Sequence, residues 1–392
     1  MKTVKLKDLV DFSNGYAFKS TDYVEYSNTV NCRMSNIRPD GSFDVEYNIK
    51  YLPDEFAEKY KGFILNDGDI IIAMTDMAGD PKILGVPTLV NTKGYSVLMN
   101  QRVGKLTLKS KDIHPTYLKY YLMSNYARNY FKSFAGGGVQ LNIGQKEILN
   151  IDIKLCDIKE QVEICNVLDK INVLIQQNSK QIEKLDQLIK SRFIELFGEC
   201  EEHKRLEEFA SLITKGASPK WQGVDYCEEG TLFVTSENVR EGYLDLSKRK
   251  YLDDKINEIQ PRSMLKRNDI LINIVGASIG RAAVYDCDEV ANINQAVALV
   301  RVDYSQINQI YLMTFLNSPQ AIEMYGKMKK GGARDNLSLQ NIADLQIPVA
   351  DMELQNQFAA FVEQTDKSKL AVQQSLEKLE ILKKSLMQQY FG

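Results

Sequence analysis

The stretch EKLDQLIKSRFIELFG at residues 183–198 returns as EKLEILKKSLMQQYFG at residues 377–392. The two copies are 391 − 197 = 194 residues apart, and the same offset aligns Gln161 with Gln355 without a gap. Self-similarity at one fixed offset indicates an internal duplication. The chain is therefore predicted to consist of two tandem copies of one module, each ending in this stretch.

The parts of the chain that precede these stretches also correspond, with small shifts in register. The matched pairs are Asp69-Ile70 with Asp269-Ile270, Asn100-Gln101 with Asn294-Gln295, and Tyr117-Leu118 with Tyr311-Leu312. The repeat unit is consequently the whole half of the chain, and its front part has diverged more than its back part.

Each front part is predicted to be mainly β-sheet. Runs that are rich in β-branched residues and bounded by Gly, Asn or Asp predict strands at 69–74, 103–108, 269–274 and 296–302. A helix is expected over 115–131 and another over 309–328. Each front part is therefore expected to be an α+β domain.

The back part of each half is predicted to be one long helix. In the first copy, apolar residues alternate at spacings of four and three and define one seam. The seam residues are Ile164, Leu168, Ile171, Ile175, Asn178, Ile182, Leu185 and Ile189, and much of the stripe returns as Phe358, Val362, Val372, Leu376, Leu379 and Leu386. A helix of about 35 residues would be roughly 50 Å long.

A helix of this length cannot be covered by one small domain, so its seam is expected to pack against the equivalent helix of the other repeat. The first helix leads from the first domain to the second, and the second helix must return towards the first domain. An antiparallel coiled coil is the natural closure. Asn178 is polar at a seam position, where it either sets the register of the pair or is an ordinary exposed residue.

Composition sets the broad class of the protein. A chain of 392 residues is long enough for two or three domains, and 44% hydrophobic with 26% charged residues is typical of globular proteins. No apolar run approaches the roughly 18 to 20 residues that span a bilayer. The first residues enter patterned sequence directly and lack the features of a secretory signal, so a cytoplasmic location is expected.

Charge and cysteine content restrict the possible partners. The net charge of −3, from 49 Lys+Arg and 52 Asp+Glu, lacks the basic excess of many nucleic-acid binders, so DNA binding would have to depend on local patches. The six cysteines are scattered, no Cys-x-x-Cys pair occurs, and only two histidines could join them. Reduced thiols without a zinc site are expected.

Signatures of catalysis are missing from the sequence. The segment 138–144 lacks the spacing of a phosphate-binding loop and is followed by Gln145. The chain has no Asn/Asp-Pro-Pro-aromatic tetrapeptide of the kind that amino-methylating enzymes place against a flipped base. Acidic pairs such as Asp253-Asp254 are best explained as solvated loop charge. A catalytic site is therefore not expected.

Binding features are better represented, in four pairs of corresponding loops. The first pair, at 15–20 and 215–221, combines a flexible turn with lysine, hydroxyl and aromatic side chains that suit phosphate and sugar contacts. The second pair, at 31–38 and 235–240, places Arg, Ser and Asn where they could bond to base edges, although a structural turn would also use Asn and Ser. The third pair, at 78–82 and 276–281, follows buried strands, and its small residues could let the backbone approach DNA. In the fourth pair, at 136–140 and 329–334, glycines adjoin residues able to bind bases or phosphates.

The candidate DNA-binding residues are the polar members of these loops. They are Lys19, Ser20, Lys215, Lys220 and Trp221 from the first pair; Arg33, Ser35, Asn36, Arg38, Ser236, Asn238 and Arg240 from the second; and Lys82, Gln140, Ser278, Arg281, Lys330 and Arg334 from the glycine-containing loops.

The order and duplication of these features resemble the specificity subunit of type I restriction-modification systems. Two diverged domains are each followed by a related long helix that opens at Gln161 or Gln355, and each half ends in Phe-Gly. A Gly-rich segment precedes Leu141 in the first half and Leu337 in the second. The family often has Pro before the helix, which is kept as Pro348 but replaced by Lys154 in the first copy.

The resemblance implies two target-recognition domains, at 1–155 and 199–350, with spacer helices at 156–198 and 351–392. Each domain would read one half of a split, asymmetric DNA site, and the paired helices would fix the spacer between the halves. Two methyltransferase subunits would dock on the helices, and motor-nuclease subunits would join that core. S-adenosylmethionine, ATP and Mg²⁺ would belong to those partners, so no cofactor is expected in this chain.

Two other functions compete with this interpretation. The chain could be a solitary methyltransferase, which binding of S-adenosylmethionine by the isolated chain would indicate. It could also be a coiled-coil adaptor that holds proteins together in another complex. The adaptor hypothesis gives no reason for two elaborate, diverged domains with matching polar loops.

Overall fold

The computed structural model describes residues 2–328 and 336–392. The chain divides into two compact units, one formed by Met1–Gln177 with Ser375–Gly392 and the other by Asn178–Gln374. Each unit therefore contains one front domain and a part of both long helices. The expected α+β architecture with two tandem repeats is confirmed.

The strands of the first unit are short and mostly buried. They are β1 (Lys2–Lys5), β2 (Val10–Asn14), β3 (Thr29–Cys32), β4 (Tyr51–Leu52), β5 (Ile64–Leu65), β6 (Ile70–Ala73), β7 (Thr75–Met77), β8 (Pro87–Leu89), β9 (Ser96–Met99), β10 (Val103–Leu108), β11 (Gln140–Asn142) and β12 (Asp152–Leu155). Two four-stranded sheets, with orders β2-β10-β6-β8 and β4-β3-β9-β5, form the body of the domain.

The continuous apolar sequence of β6 fits its position as an inner strand of the sheet. Ile70, Ile71 and Ile72 are all buried because β6 has covered surfaces on both faces. The pairs β2–β10, β10–β6 and β6–β8 are antiparallel, whereas β3 and β9 run parallel, with Cys32 opposite Met99. The ends of β3 and β9 therefore meet at one edge of their sheet.

The helix expected over 115–131 is two helices. The helices of the first unit are α1 (Leu6–Leu9), α2 (Glu55–Lys59), α3 (Pro115–Met123), α4 (Asn125–Phe134), α5 (Gln145–Leu149) and the first part of α6 (Ile158–Phe197). Ser124 has an extended backbone, and its side chain accepts a hydrogen bond from the Ala127 N–H. An N-cap serine thus ends one helix and starts the next within a continuous apolar pattern.

The second unit repeats this architecture. Its strands are β13 (His203–Arg205), β14 (Ala210–Lys215), β15 (Tyr226–Cys227), β16 (Thr231–Val234), β17 (Tyr251–Leu252), β18 (Ile270–Asn273), β19 (Ala282–Val284), β20 (Ala291–Ile293), β21 (Val297–Val302) and β22 (Gln346–Pro348). Its sheets have the orders β14-β21-β18-β19 and β15-β17-β16-β20, and β16 and β20 are parallel.

The helices of the second unit show a similar break. They are α7 (Leu206–Phe209), α8 (Lys255–Ile259), α9 (Gln309–Leu316), α10 (Pro319–Met328), α11 (Leu339–Ala343) and most of α12 (Met352–Phe391). The single helix expected over 309–328 is interrupted after Leu316, because Pro319 cannot donate the backbone hydrogen bond that a continuous helix needs. Proline is well placed at the start of α10 instead.

The two long helices each have 40 residues, a few more than the apolar stripe alone predicted. In the first unit, Ile164 and Leu168 near the start of α6 share a core with Phe391 at the end of α12. In the second unit, Phe197 at the end of α6 shares a core with Phe358 near the start of α12. The start of each helix thus lies with the end of the other, which confirms the antiparallel pairing.

The last phenylalanine of each long helix packs against a tyrosine of the domain that the helix reaches. In the first unit the Phe391 ring lies 5.3 Å from the Tyr117 ring, and in the second unit Phe197 lies 4.7 Å from Tyr311. The Tyr117 hydroxyl donates to the carbonyl of Lys154 at 2.9 Å, as Tyr311 does to Pro348 at 2.8 Å. This hydrogen bond uses only the backbone carbonyl, which lysine and proline both have. Lys154 can therefore replace proline at this position without loss of the bond.

The glutamine that opens each helix ties it to the preceding domain. Gln161 accepts from the His114 N–H and donates to the carbonyls of Asp112 and Cys156, each at 2.8 to 2.9 Å. Gln355 accepts from the Asn308 N–H in the same way, and both glutamines are buried. Since unpaired polar groups are costly inside a protein, this repeated pair is a structural motif.

A buried ion pair links the inner strands of each main sheet. Arg301 donates two hydrogen bonds to Asp269, at 2.7 and 2.6 Å, and the Asp269 side chain is fully buried. This carboxylate raises the pKa of Arg301. The equivalent pair in the first unit, Lys105 with Asp69, joins at 2.6 Å and is about one-fifth exposed at both side chains.

The substitution Asp269→Asn is expected to destabilise the second unit by about 3 kcal/mol, because it removes the charge of a fully buried carboxylate that accepts two hydrogen bonds from Arg301. Asp69→Asn is the matched control and is expected to cost about 1 kcal/mol less than that, because the Asp69 side chain is 19% exposed and water screens its pair with Lys105. Urea unfolding followed by circular dichroism measures both. Equal costs would contradict the role given to burial.

Candidate nucleic-acid interface

One edge of each domain collects the polar residues that the sequence singled out. Because parallel strands end at the same edge, the segments after β3 and β9 lie side by side, as do those after β16 and β20. Arg33 and Ser35 follow β3 directly, and Ser236 follows β16. Here these edges are named the reading edges of the first and second domain.

The buried side chains of Asn36 and Asn238 stabilise the loops at these edges through hydrogen bonds to the backbone. Asn36 accepts from the Arg33 N–H at 2.8 Å and donates to the carbonyl of Asp44 at 2.9 Å. Asn238 accepts from the Thr235 N–H and donates to the Asp245 carbonyl, both at 2.9 Å. Both amides are buried and bonded on each side, so the geometry agrees with the alternative that these asparagines build a turn.

Other polar side chains of the same loops include hydrogen-bond donors that are not paired within the described residues. The Arg33 Nε and the Ser35 hydroxyl are buried without a hydrogen-bond partner in the described part of the chain. Arg33 Nη2 donates to the Asn48 carbonyl at 2.6 Å, which fixes the direction of the guanidinium. Arg38 stacks over the Tyr47 ring at 3.7 Å. The fold thus orients the Arg33 and Arg38 guanidinium groups, and among the described residues the Arg33 Nε and the Ser35 hydroxyl remain unpaired.

Arg240 of the second domain and Lys82 of the first lie in surface ion pairs. Arg240 meets Asp245 at 3.4 Å, and Lys82 meets Asp80 at 3.1 Å. Exposed pairs of this kind contribute about 0–1 kcal/mol, so a phosphate or base can replace the carboxylate at little cost.

The loops that follow β2 and β14 lie directly against the reading edges. The Tyr16 N–H donates to the Met99 carbonyl at 2.8 Å. Lys19 and Ser20, further along the same loop, are exposed. In the second domain a Cβ at Gly216 would collide with the Ile293 carbonyl, so only glycine allows this approach.

The second of these loops presents an unusual aromatic side chain. Trp221 is 85% exposed in the short turn Pro219–Gln222, with Lys215 and Lys220 also exposed nearby in sequence. A large exposed ring is uncommon on a folded surface, and it suits stacking or groove contacts with a nucleic acid.

The glycine-containing loops after β7 and β18 are held by polar residues that sequence reasoning missed. Asn273, at the end of β18, donates to the Ser236 carbonyl at 3.0 Å and to the Ser278 hydroxyl at 3.2 Å. This amide therefore brings two candidate residues together. Its sequence signal is an asparagine inside an otherwise apolar strand, and Arg281 is exposed just beyond it.

Asp76 has the same function in the first domain. Its carboxylate accepts from the Met77 N–H and the Leu84 N–H, at 2.8 and 2.9 Å, and so shapes the loop that carries Lys82. Gln140 lies opposite Met77 in the β11–β7 pair, beside this loop. The candidates Lys330 and Arg334 lie outside the described residues.

Neither a metal-binding cluster nor a membrane-spanning helix occurs in the described ranges 2–328 and 336–392. No group of three or more His, Cys, Asp or Glu side chains there could hold a metal ion. No helix in these ranges is long and apolar enough to cross a membrane. Burial raises the pKa of the Cys32 and Cys165 thiols to about 12, so both stay protonated.

The family comparison matches both halves of the chain. The model of the type I restriction modification DNA specificity domain matches residues 1–187 and again residues 201–381. The chain therefore belongs to the family of type I restriction-modification DNA specificity proteins, with two copies of the specificity domain.

Two curated relatives carry matching names. The specificity subunit of the type I restriction enzyme MjaVIII from Methanocaldococcus jannaschii is 30% identical over 186 residues, covering 47% of this chain and 42% of the relative. The specificity subunit of EcoBI from Escherichia coli is 22% identical over 390 residues, covering 92% of this chain and 78% of the relative. This chain thus spans less than half of the first relative's length.

Solved structures share the fold over nearly the full length. The S subunit of a type I restriction-modification system from M. genitalium has a TM-score of 0.59 at 14% identity, with 98% of this chain and 94% of that chain covered. A chain from a structural study of type I complex assembly and conformational transition has a TM-score of 0.61 at 16% identity, covering 100% and 97%.

Proposed function

We propose that this chain reads a split, asymmetric DNA site without catalysing a reaction itself, as the specificity subunit of a type I restriction-modification complex. The observation that supports this most is the duplicated reading edge. Each domain places corresponding loops at the end of a parallel strand pair, but these loops carry different side chains. Two similar but non-identical readers are suited to two different half-sites.

The paired helices are proposed to fix the spacer between the half-sites. Two rigid readers recognise half-sites at one separation, just as the geometry of a dimer sets the spacing of its operator. The DNA itself would lie in the cytoplasm with the complex.

The helices are also proposed to dock two methyltransferase subunits, with the motor-nuclease subunits joining through that core. Both helices carry apolar side chains that their own unit leaves exposed, and exposed apolar surface of this kind marks interaction sites. They include Val173, Leu174 and Ile381 in the first unit and Leu188, Ile194 and Leu370 in the second, each between 45% and 69% exposed. S-adenosylmethionine, ATP and Mg²⁺ would be bound by the partners.

Selection from a library of random DNA duplexes tests this function. The chain is purified together with its methyltransferase subunits, and bound duplexes are sequenced. Two short motifs at one fixed separation are expected, and the methyltransferase subunits alone should enrich neither. A soluble complex that enriches no motif would reject DNA reading and favour the adaptor function.

Arg240→Ala is expected to relax recognition of the second half-site while the first stays intact, by about 10- to 100-fold in competition binding. The same expectation applies to Arg334, which lies outside the described residues. Arg267→Ala is the matched control, because Arg267 also forms a surface pair, with Asp288 at 2.7 Å, but precedes β18 and so lies at the other end of that strand. Equal losses at both half-sites would contradict separate reading by two domains.

A further inference from the structure

The turn after β9 presents a glutamine at its tip. Asn100 accepts a hydrogen bond at its side-chain Oδ1 from the Arg102 N–H, at 3.2 Å. Its backbone carbonyl accepts from the Val103 N–H at 3.0 Å. Asn100 therefore closes the turn by itself, and Gln101 and Arg102 are exposed at its tip.

The turn after β20 in the second domain has the same hydrogen bonds. Asn294 accepts at Oδ1 from the Ala296 N–H at 3.1 Å, and its carbonyl accepts from the Val297 N–H at 3.2 Å. The exposed residue at this tip is again a glutamine, Gln295. The two turns thus match in backbone bonding and in the side chain they display.

The fold does not require glutamine at these tips. The asparagine before each tip makes the side-chain hydrogen bond that an Asn-led turn uses, and a two-residue tip accepts most polar residues. By contrast, Gln161 and Gln355, which the fold does use, are buried and bonded through both amide atoms. The identity of Gln101 and Gln295 is therefore better explained by something outside the chain.

The two tips lie in the middle of the reading edges. In the first domain, the Asn100 N–H donates to the Cys32 carbonyl at 2.9 Å, immediately before Arg33, and the Gln101 N–H donates to the Tyr16 carbonyl at 3.0 Å. Gln101 is consequently flanked by the loop that follows β3 on one side and the loop that follows β2 on the other.

The second domain repeats this position. The Asn294 N–H donates to the Val234 carbonyl at 3.0 Å, and the backbone of Gly216 passes so close that a Cβ would meet the carbonyls of Ile293 and Asn294. Gln295 is therefore also flanked by two loops that carry candidate DNA-binding residues.

We propose that Gln101 and Gln295 each read one adenine, the first in one half-site and the second in the other. A glutamine amide has one acceptor and two donors in a plane, which matches the N6 amino group and the N7 acceptor that adenine presents in the major groove. The following residue differs, since Arg102 follows Gln101 whereas Ala296 follows Gln295. The same base would thus be read within two different motifs.

This inference rests on the proposed function, and the same selection experiment tests both. Complexes that contain Q101A or Q295A are compared with the wild-type complex on random duplexes. Q101A is expected to lose about 10- to 100-fold of its preference at one A·T pair of the first half-site, and Q295A at one A·T pair of the second. Each variant is the matched control of the other, and thermal melting verifies that both are folded.

The outcomes separate the two claims. If the wild-type complex selects a split motif and both variants select it unchanged, the adenine-reading role is wrong while the proposed function stands. A relaxed position that is a G·C pair, or equal loss in both half-sites, would also overturn the inference. If the wild-type complex selects no motif, the proposed function has failed and the inference fails with it. Q101E, which has no amide N–H to donate to N7, is expected to lose the same preference as Q101A.

Discussion

Insertion of seven residues into each long helix, after Gln177 and after Gln374, is expected to lengthen the spacer of the recognised site by about three base pairs. Seven helical residues add roughly 10.5 Å, and B-DNA rises about 3.4 Å per base pair. A heptad also keeps the apolar seam in phase, drifting by only about 20°. Both insertion points lie at the boundary between the compact units, so neither recognition domain is altered.

The original site should then be bound no better than random DNA, a loss of roughly 10³-fold or more. Selection from random duplexes measures the new spacer, and both half-site motifs should be retained. The control is the same insertion in one helix alone, which puts the two seams out of register and should destroy the complex. An unchanged spacer in the double insertion would show that the helices do not set the separation.

Phe391→Ala is expected to destabilise the first unit by about 3–5 kcal/mol, the usual cost of removing a buried aromatic ring. The Phe391 side chain is 1% exposed and packs against Tyr117 and Tyr121, at 5.3 and 5.8 Å. Since this ring attaches the end of the chain to the first domain, its loss should free the last turns of α12. Denaturant unfolding gives the free energy.

Hydrogen exchange locates the effect. Amides of α3 and of the last turns of α12 should lose protection, whereas the equivalent variant Phe197→Ala should act on α9 in the second unit. Ile381→Ala is the control on the same helix, because that side chain is 69% exposed and should cost less than about 0.5 kcal/mol. A loss in Ile381→Ala as large as in Phe391→Ala would contradict the closing role of Phe391.

Much of the fold could be predicted because the signals are periodic or duplicated. The heptad spacing from Ile164 to Ile189 predicted a paired helix, and the 194-residue offset showed that a second one follows. The breaks at Ser124 and after Leu316 were not predicted. At Ser124, α3 and α4 continue one apolar pattern and only the cap chemistry separates them. A capping serine within such a run resembles an ordinary helical residue until its backbone is seen. After Leu316, by contrast, Pro319 is a sequence signal that could have located the break.

The candidate site was predictable at the level of loops but not of single side chains. Asn36 and Asn238 have the residue type that binds base edges, yet their burial and their bonds to backbone carbonyls become evident only once the turn is formed. Asn273 was overlooked since it lies inside a strand. Sequence pattern locates polar residues near one another, whereas the direction of each amide depends on long-range backbone pairing.

Adenine methylation mapped across a host genome tests the central claim most directly. The chain is co-expressed with a type I methyltransferase subunit from the same genome, and methylated adenines are located by single-molecule sequencing, with a matched strain that lacks this chain. Our account predicts one split motif, with two different halves at one fixed separation, that disappears in the matched strain. A soluble complex that leaves no such motif, or a motif that persists without the chain, would contradict it.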